Sequence, residues 1–134
     1  MTEKLARSAI QPKNPVLNVS RSANLPHVPG IRVGDYIFLS GMGPIDPQTS
    51  ERNHGPIAEQ VRTTLSNMRH MLESAGSSLD RLVQVHALIY DSIEYDVLNR
   101  VYRQYVANGP PARTVWTAQV EAGFKIQLDV VAAA

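Results

Sequence analysis

The amino-acid sequence predicts an α+β domain in which two helices cover one face of a mixed β-sheet. Residues 57–75 have the apolar spacing of an amphipathic helix, residues 82–90 alternate like a half-buried strand, and a second helical stripe precedes two β-rich segments near the C-terminus. The predicted order is therefore strands, helix, strand, helix, strands. Because two helices cover one sheet face, the other face is expected to be solvated or to form an oligomer interface with clefts between subunits.

The N-terminal residues 1–24 are predicted to be an irregular arm, and residues 25–134 a single domain. Pro12, Asn14 and Pro15 interrupt any regular period in the arm, and its apolar content is too low for a signal peptide or a membrane span. Residues 16–19 could still pair as a short edge strand. Ile31–Val33 and Tyr36–Ser40, joined by Gly34-Asp35, then predict a hairpin.

Two helices and a strand make up the middle of the chain. The first helix is expected to begin at Pro56 and to be capped by Gly76. Its apolar stripe consists of Ile57, Val61, Leu65, Met68, Leu72 and Ala75. The strand Leu82–Tyr90 follows, and Asp91 or Ser92 is suited to cap a second helix that ends before Gly109. Leu98, Val101, Tyr102 and Tyr105 form the stripe of that helix.

Two β-rich segments, residues 114–120 and 124–131, flank a predicted turn at residues 121–123, and we expect them to form a hairpin with each other. The two-residue period places Trp116 on an apolar face of the first segment and Arg113 on the opposite, polar face. Pro110-Pro111 provides a stiff entry to Arg113, whose forked donors suit a planar carboxylate. A surface ion pair is the commoner explanation of such an arginine.

The composition excludes several kinds of site. The chain has 134 residues with 13 Lys+Arg and 12 Asp+Glu, so its charge gives no reason to expect a nucleic-acid or membrane partner. It has no cysteine, which excludes disulfides and a cysteine nucleophile. No metal site is expected, because the four histidines lack metal-ligand spacing. Ser40-Gly41 lacks the pattern of a nucleophile elbow. A cysteine-free chain fits the cytoplasm, where we expect a soluble protein.

Several motifs together resemble the reactive intermediate deaminase family, also called the YjgF/UK114 family, from about Leu25 to Ala132. These motifs are residues 34–41 (Gly-Asp-Tyr-Ile-Phe-Leu-Ser-Gly), 46–49 (Asp-Pro-Gln-Thr), 60–79, 99–102 (Asn-Arg-Val-Tyr) and 111–114 (Pro-Ala-Arg-Thr). The resemblance implies a chorismate-mutase-like fold with a six-stranded mixed sheet and a homotrimer with ligand clefts between subunits. It also implies cofactor-independent hydrolysis of reactive enamines or imines, such as 2-aminoacrylate, to 2-keto acids and ammonia.

The resemblance also assigns residues to a substrate site. Arg113 would hold the substrate carboxylate, Ser40 and Gly41 would line the cleft beside it, and Asn99 would lie close by. Without the resemblance, Asn99 is as consistent with a partly exposed amide tolerated within a helix as with a functional role. His27 falls near a position where members often have tyrosine. Members that hydrolyse 2-aminoacrylate usually carry glutamate at the position of Gln127, and glutamine can orient a water but cannot take its proton.

Three functions are therefore compared. The leading one is a hydrolase that deaminates a small carboxylate-bearing enamine or imine, either 2-aminoacrylate-like or aminomuconate-like, with Arg113 and Gln127 as catalytic candidates. Gln127 favours the second, a non-catalytic sensor or chaperone-like trimer that binds small carboxylates. The third, an endoribonuclease, rests on an older family label, and the absence of a basic run of residues argues against it.

Overall fold

The computed structural model describes residues 6–134, which form one six-stranded mixed sheet with two long helices packed on one face. The strands are β1 (Arg7–Ile10), β2 (Gly30–Val33), β3 (Tyr36–Met42), β4 (Leu82–Ile89), β5 (Ala112–Thr117) and β6 (Ile126–Ala133). Their order across the sheet is β1-β2-β3-β6-β4-β5, and the pairs are antiparallel except for the parallel pair β4 and β5. The predicted α+β class is confirmed.

The helices are the short α1 (Val19–Ser22) and the longer α2 (Ile57–Ser74) and α3 (Tyr95–Tyr105). The predicted stripe of α2 is buried against the sheet, apart from Ala75, which is partly buried just beyond the helix end. Gly76 follows with φ +81°, a left-handed conformation that glycine adopts without strain. The described residues contain no helix that is long and apolar enough to cross a membrane.

The predicted hairpin near residue 34 is confirmed, since β2 and β3 pair with Val33 opposite Tyr36. Gly34 has φ +55° in the turn between them. A turn forms at Asp46, whose carboxylate accepts hydrogen bonds from the backbone N–H groups of Gln48 and Thr49, at 2.8 and 3.2 Å.

The predicted hairpin between the last two β-rich segments is wrong. Helix α3 carries the chain back so that β5 runs parallel to β4 at the edge of the sheet, while β6 inserts between β3 and β4. The intervening segment contains the expected turn, Glu121–Gly123, with Ala122 at φ +60°. A parallel strand pair needs a helical crossover, and local turn residues do not reveal which strand the next one will join.

The expectation of an irregular arm is also wrong for residues 6–24. Arg7–Ile10 forms edge strand β1, which pairs with β2, and residues 16–19 are not a strand. A 3₁₀ turn spans Pro15–Leu17, and α1 follows it. Asn14 and Asn18 start these turns, because their side-chain oxygens accept backbone N–H groups at 3.1 and 3.2 Å.

The sheet face away from α2 and α3 is open in the single chain and carries large apolar side chains. Tyr36, Phe38 and Trp116 are 49%, 46% and 49% exposed there. The predicted apolar face of β5 is therefore the open one, while Arg113 and Val115 face the helices. Val83 is 43% exposed although its strand alternates elsewhere, because the register with β6 shifts between Leu82 and Gln84.

Candidate functional site

A cleft of about 610 Å³ opens where β3 and β6 meet the segments before and after them. His27, Ser40, Gly41 and Gln127 all line it, so four of the residues proposed from the sequence lie together. Asp129 also lines this cleft, two residues beyond Gln127 on the same face of β6. The cleft therefore combines an imidazole, a hydroxyl, an amide and a carboxylate. These groups surround the end of β3, where position 41 is a glycine and has no side chain.

Gly41 and Gln127 are in direct contact across β3 and β6. A Cβ atom at position 41 would overlap the Nε2 atom of Gln127, so a side chain at this position must displace the amide. The ladder between the two strands shifts register between Leu39 and Met42, next to this contact. Bulges of this kind re-aim side chains near functional sites. The glycine thus lets Gln127 lie flat against the cleft wall.

Ser40 is held by the segment on the other side of the cleft. Its hydroxyl donates to the carbonyl oxygen of Val28 at 2.6 Å, and its backbone N–H donates to the carbonyl of Pro29 at 2.9 Å. A hydroxyl that donates to a carbonyl has no base to activate it, in agreement with the expectation that Ser40 is not a nucleophile. Ser40 instead positions the segment that carries His27.

Two buried polar residues of α2 fix the loops around the cleft, and the sequence had not singled them out. Asn67 donates to the carbonyl of Ile45 at 2.8 Å, and Gln60 accepts from the backbone N–H of Lys125 at 2.9 Å, immediately before β6. Both side chains are 1% exposed, so their hydrogen bonds to backbone are costly to remove. In the sequence, these two residues are recognisable as amide side chains that adjoin positions of the apolar stripe of α2.

Arg113 and Asn99, the other two proposed residues, form a separate cluster where β5 meets α3. The Nη2 atom of Arg113 donates to Oδ1 of Asn99 at 2.7 Å. Its guanidinium carbon lies 4.8 Å from the ring centroid of Tyr102 and 5.9 Å from that of Tyr95. Stacking on aromatic faces holds a guanidinium in place and leaves its remaining donors available in the plane.

No carboxylate pairs with Arg113 within the part of the chain that the structure describes. The surface ion pair considered from the sequence is therefore absent among residues 6–134. The pKa of the neighbouring Tyr102 is raised above its ordinary value of 10.0 because burial disfavours the phenolate, although the Arg113 charge opposes that shift. The Tyr102 hydroxyl is buried and has no hydrogen-bond partner among these residues.

The two groups of residues lie on opposite sides of the sheet. Arg113 is paired with buried Val85 and faces the helices, whereas Gln127 is paired with partly exposed Leu88 on the open face. Ser40 lies on β3 and Arg113 on β5, and β6 and β4 lie between these two strands. Because neighbouring strands are about 4.8 Å apart, the two residues are roughly 14 Å apart across the sheet. One chain therefore does not bring Arg113 to the cleft beside Gln127.

Comparison with known proteins identifies the family. The model of the family described as Endoribonuclease L-PSP matches residues 19–134. The chain belongs to this family, which includes the YjgF, RutC and Rid proteins. The resemblance proposed from the sequence motifs is thus confirmed.

Individual members of the family agree with this assignment. A RutC family protein of Pyrococcus abyssi is 34% identical over 80% of this chain and 85% of its own. The human 2-iminobutanoate/2-iminopropanoate deaminase is 29% identical over 80% and 79%. The crystal structure of the Rid family protein YyfA from Yersinia pestis matches 96% of this chain and 100% of its own with a TM-score of 0.87 and 25% identity.

Proposed function

We propose that this Rid family chain is a cofactor-independent hydrolase that deaminates reactive enamines or imines carrying a carboxylate, 2-aminoacrylate-like or aminomuconate-like, to a carbonyl product and ammonia. The observation that carries the proposal is Arg113. Its guanidinium is held by Asn99 and two tyrosine rings, yet it pairs with no carboxylate of the described chain. A preorganised arginine of this kind suits a ligand carboxylate.

The cleft supplies the second part of the proposed site. Gln127 can donate and accept hydrogen bonds and so orient a water toward the imine carbon. Water adds to that carbon, and the resulting carbinolamine collapses to the carbonyl and ammonia. Arg113 would hold the substrate at a fixed position relative to this water, and such positioning is a large part of many enzymatic rate enhancements.

We propose further that the two parts meet between neighbouring subunits of a homotrimer. Within one chain they lie on opposite faces of the sheet, and the open face carries Tyr36, Phe38 and Trp116. Exposed apolar patches of this kind are typical of subunit interfaces. We expect light scattering at micromolar concentration to give three times the chain mass, and a monomer would contradict this assembly.

The direct test is ammonia release. The purified protein is mixed with freshly generated 2-aminoacrylate, or with a longer enamino acid, and ammonia is measured against the spontaneous hydrolysis rate. Acceleration that is lost in Arg113→Ala supports the proposal. Arg69→Ala is the matched control, since Arg69 also stacks on a tyrosine of α3, Tyr105, at 5.6 Å and lies on the exposed side of α2.

Gln127 favours a second candidate function, a trimer that binds small carboxylates without turning them over. The amide cannot accept the proton of the attacking water, and such proton transfer typically contributes ~10²–10⁴-fold to the rate. Calorimetric binding of a 2-keto acid together with a rate of ammonia release equal to the spontaneous rate would select this candidate over the deaminase.

A further inference from the structure

Asp129 is the acidic group of the cleft that lies beside Gln127. The two residues share the partly exposed face of β6, because Ile126, Leu128 and Val130 fill the buried face between and around them. Glu121 is the other acidic residue that lines the cleft, and it lies on the exposed turn before β6. A carboxylate two positions from Gln127 on one strand face lies on the order of 7 Å away along the strand, a span that one water can bridge between the side chains.

His86 fixes the orientation of this carboxylate. His86 on β4 is directly opposite Asp129 on β6, and its Nδ1–H group donates to Oδ1 of Asp129 at 3.0 Å. The Trp116 ring lies against the imidazole, with centroids 5.3 Å apart. The second carboxylate oxygen has no hydrogen bond within residues 6–134. This arrangement holds one oxygen and leaves the other to accept a proton.

The strands around the pair present no other ionisable group on this face, and the other ionisable residues that line the cleft, His27, Arg52 and Glu121, lie on segments outside these strands. The other residues on this face of β4, β5 and β6 are Gln84, Leu88, Ala112, Thr114, Trp116, Gln127, Val131 and Ala133. None of them titrates near neutral pH. Within the described strands, a proton exchanged at this part of the sheet must therefore be handled by Asp129 and His86.

We propose that Asp129 is the general base of the deamination and that His86 is its positioning residue. This inference rests on the proposed function. As the oxygen of a water oriented by Gln127 bonds to the iminium carbon, the C=N π pair moves to nitrogen and Asp129 takes one proton from the water. Protonated Asp129 then returns that proton to the nitrogen, the C–N bond breaks to release ammonia, and the hydroxyl oxygen loses its proton to solvent as the C=O bond forms.

The experiment measures ammonia release from a saturating enamino acid as a function of pH. We expect Asp129→Asn to lower kcat by ~10²–10⁴-fold, the usual contribution of a positioned base, with little change in KM or in 2-keto acid binding. The acid limb of the pH profile should disappear with the carboxylate. His86→Gln, which can still donate a hydrogen bond to Asp129, should give a smaller loss in kcat and keep the acid limb. Asp35→Asn, in the exposed β2–β3 turn, is the matched control and should match the parent.

A rescue variant separates chemistry from structure. Adding Gln127→Glu to Asp129→Asn supplies a new carboxylate in the same cleft and should restore a large part of the lost rate. Parental kcat and pH profile in Asp129→Asn would overturn the inference, and so would a loss of folding or of keto-acid binding that Gln127→Glu does not reverse. If the parent itself releases no ammonia above the spontaneous rate, the proposed function fails, and this inference fails with it.

Discussion

The cleft beside Gln127 and the cluster around Arg113 differ in what each can do alone. The cleft has polar groups that can orient or deprotonate a water, Ser40, Gln127 and Asp129, and its lining cation, Arg52, lies in the segment that bridges to Ile45. The Arg113 cluster has a fixed positive charge, held by Asn99 and stacked on Tyr102, but it lies on a strand edge away from that cleft. The cleft offers groups for the chemistry and the cluster offers a preorganised guanidinium, so the proposed site for a small carboxylate combines both.

The largest expected effect follows from removing the charge of the Arg113 cluster. We expect Arg113→Ala to abolish measurable binding of 2-keto acids, a loss of ~100-fold or more, because a charge-assisted, two-point contact is worth up to ~3 kcal/mol. Arg113→Lys keeps the charge but loses the forked geometry, so its binding should be clearly weaker than the parent's. Calorimetric titration with a 2-keto acid measures both.

Thermal unfolding of the same variants checks that the effect is on binding. Stacking of a partly exposed guanidinium on tyrosine contributes about 1 kcal/mol, so both variants should melt within a few degrees of the parent. Arg69→Ala should bind keto acids normally. An Arg113→Ala protein that binds normally, or one that unfolds outright, would show that Arg113 is structural.

A smaller effect is expected in the cleft. Gly41→Ala places a Cβ atom where the Gln127 amide lies, and the flexible amide must move. Because misplacing a catalytic group by ~1 Å can cost up to ~10²-fold, we expect ammonia release to fall by between ~10-fold and ~100-fold. Keto-acid binding at Arg113 and the melting temperature should change little.

The matched control is the same change in a Gln127→Ala background. There the new methyl group meets no amide, so Gly41→Ala should cost little further activity. Equal losses in the two backgrounds would mean that Gly41 acts independently of Gln127.

The smallest expected effect concerns Tyr102, which supports the Arg113 guanidinium. Its hydroxyl is buried without a partner in the described chain, so Tyr102→Phe should keep the ring contact and change the stability at pH 7 by less than about 1 kcal/mol. Burial raises the pKa of the Tyr102 hydroxyl in the folded state. Above the unfolded pKa of about 10 the unfolded chain binds fewer protons than the folded one, so parental stability falls as pH rises.

Urea unfolding between pH 8 and pH 11 checks this sign. The alkaline loss of stability should be smaller in Tyr102→Phe than in the parent. Tyr90→Phe, the same substitution at a side chain that is 60% exposed, is the matched control. A Tyr102→Phe profile parallel to the parent's would show that this phenol is not the group that burial affects.

Sequence periodicity was sufficient for the elements whose partners are local. The α2 stripe from Ile57 to Leu72 and the β2–β3 hairpin formed as predicted, because helical spacing and turn residues act over a few positions. The pairing of β5 with β4, and the insertion of β6 next to β3, were not predictable in this way, because strand choice depends on long-range packing. The separation of Arg113 from Gln127 follows from that same pairing.

For the candidate site, sequence motifs were sufficient to propose the site residues, but they did not reveal the side chains that hold those residues in place. Arg113, Asn99 and Gln127 were proposed from the sequence, whereas the tyrosine rings beneath Arg113 and the anchors Gln60 and Asn67 were not. Tyr102 and Gln60 each lie on or next to an apolar stripe, where the pattern alone favours a plain core role. Only their three-dimensional contacts distinguish them.

Subunit complementation tests the central claim, that a working site combines the Arg113 cluster of one subunit with the cleft of another. Arg113→Ala and Gly41→Leu, which blocks the cleft, are expected to be inactive alone. When the two are co-expressed with different tags and oligomers that carry both tags are purified, every closed trimer contains both variants, and about one third of its interfaces pair two intact halves. Our account predicts ammonia release at about that fraction of the parental rate. Mixed oligomers that remain as inactive as either variant would contradict it.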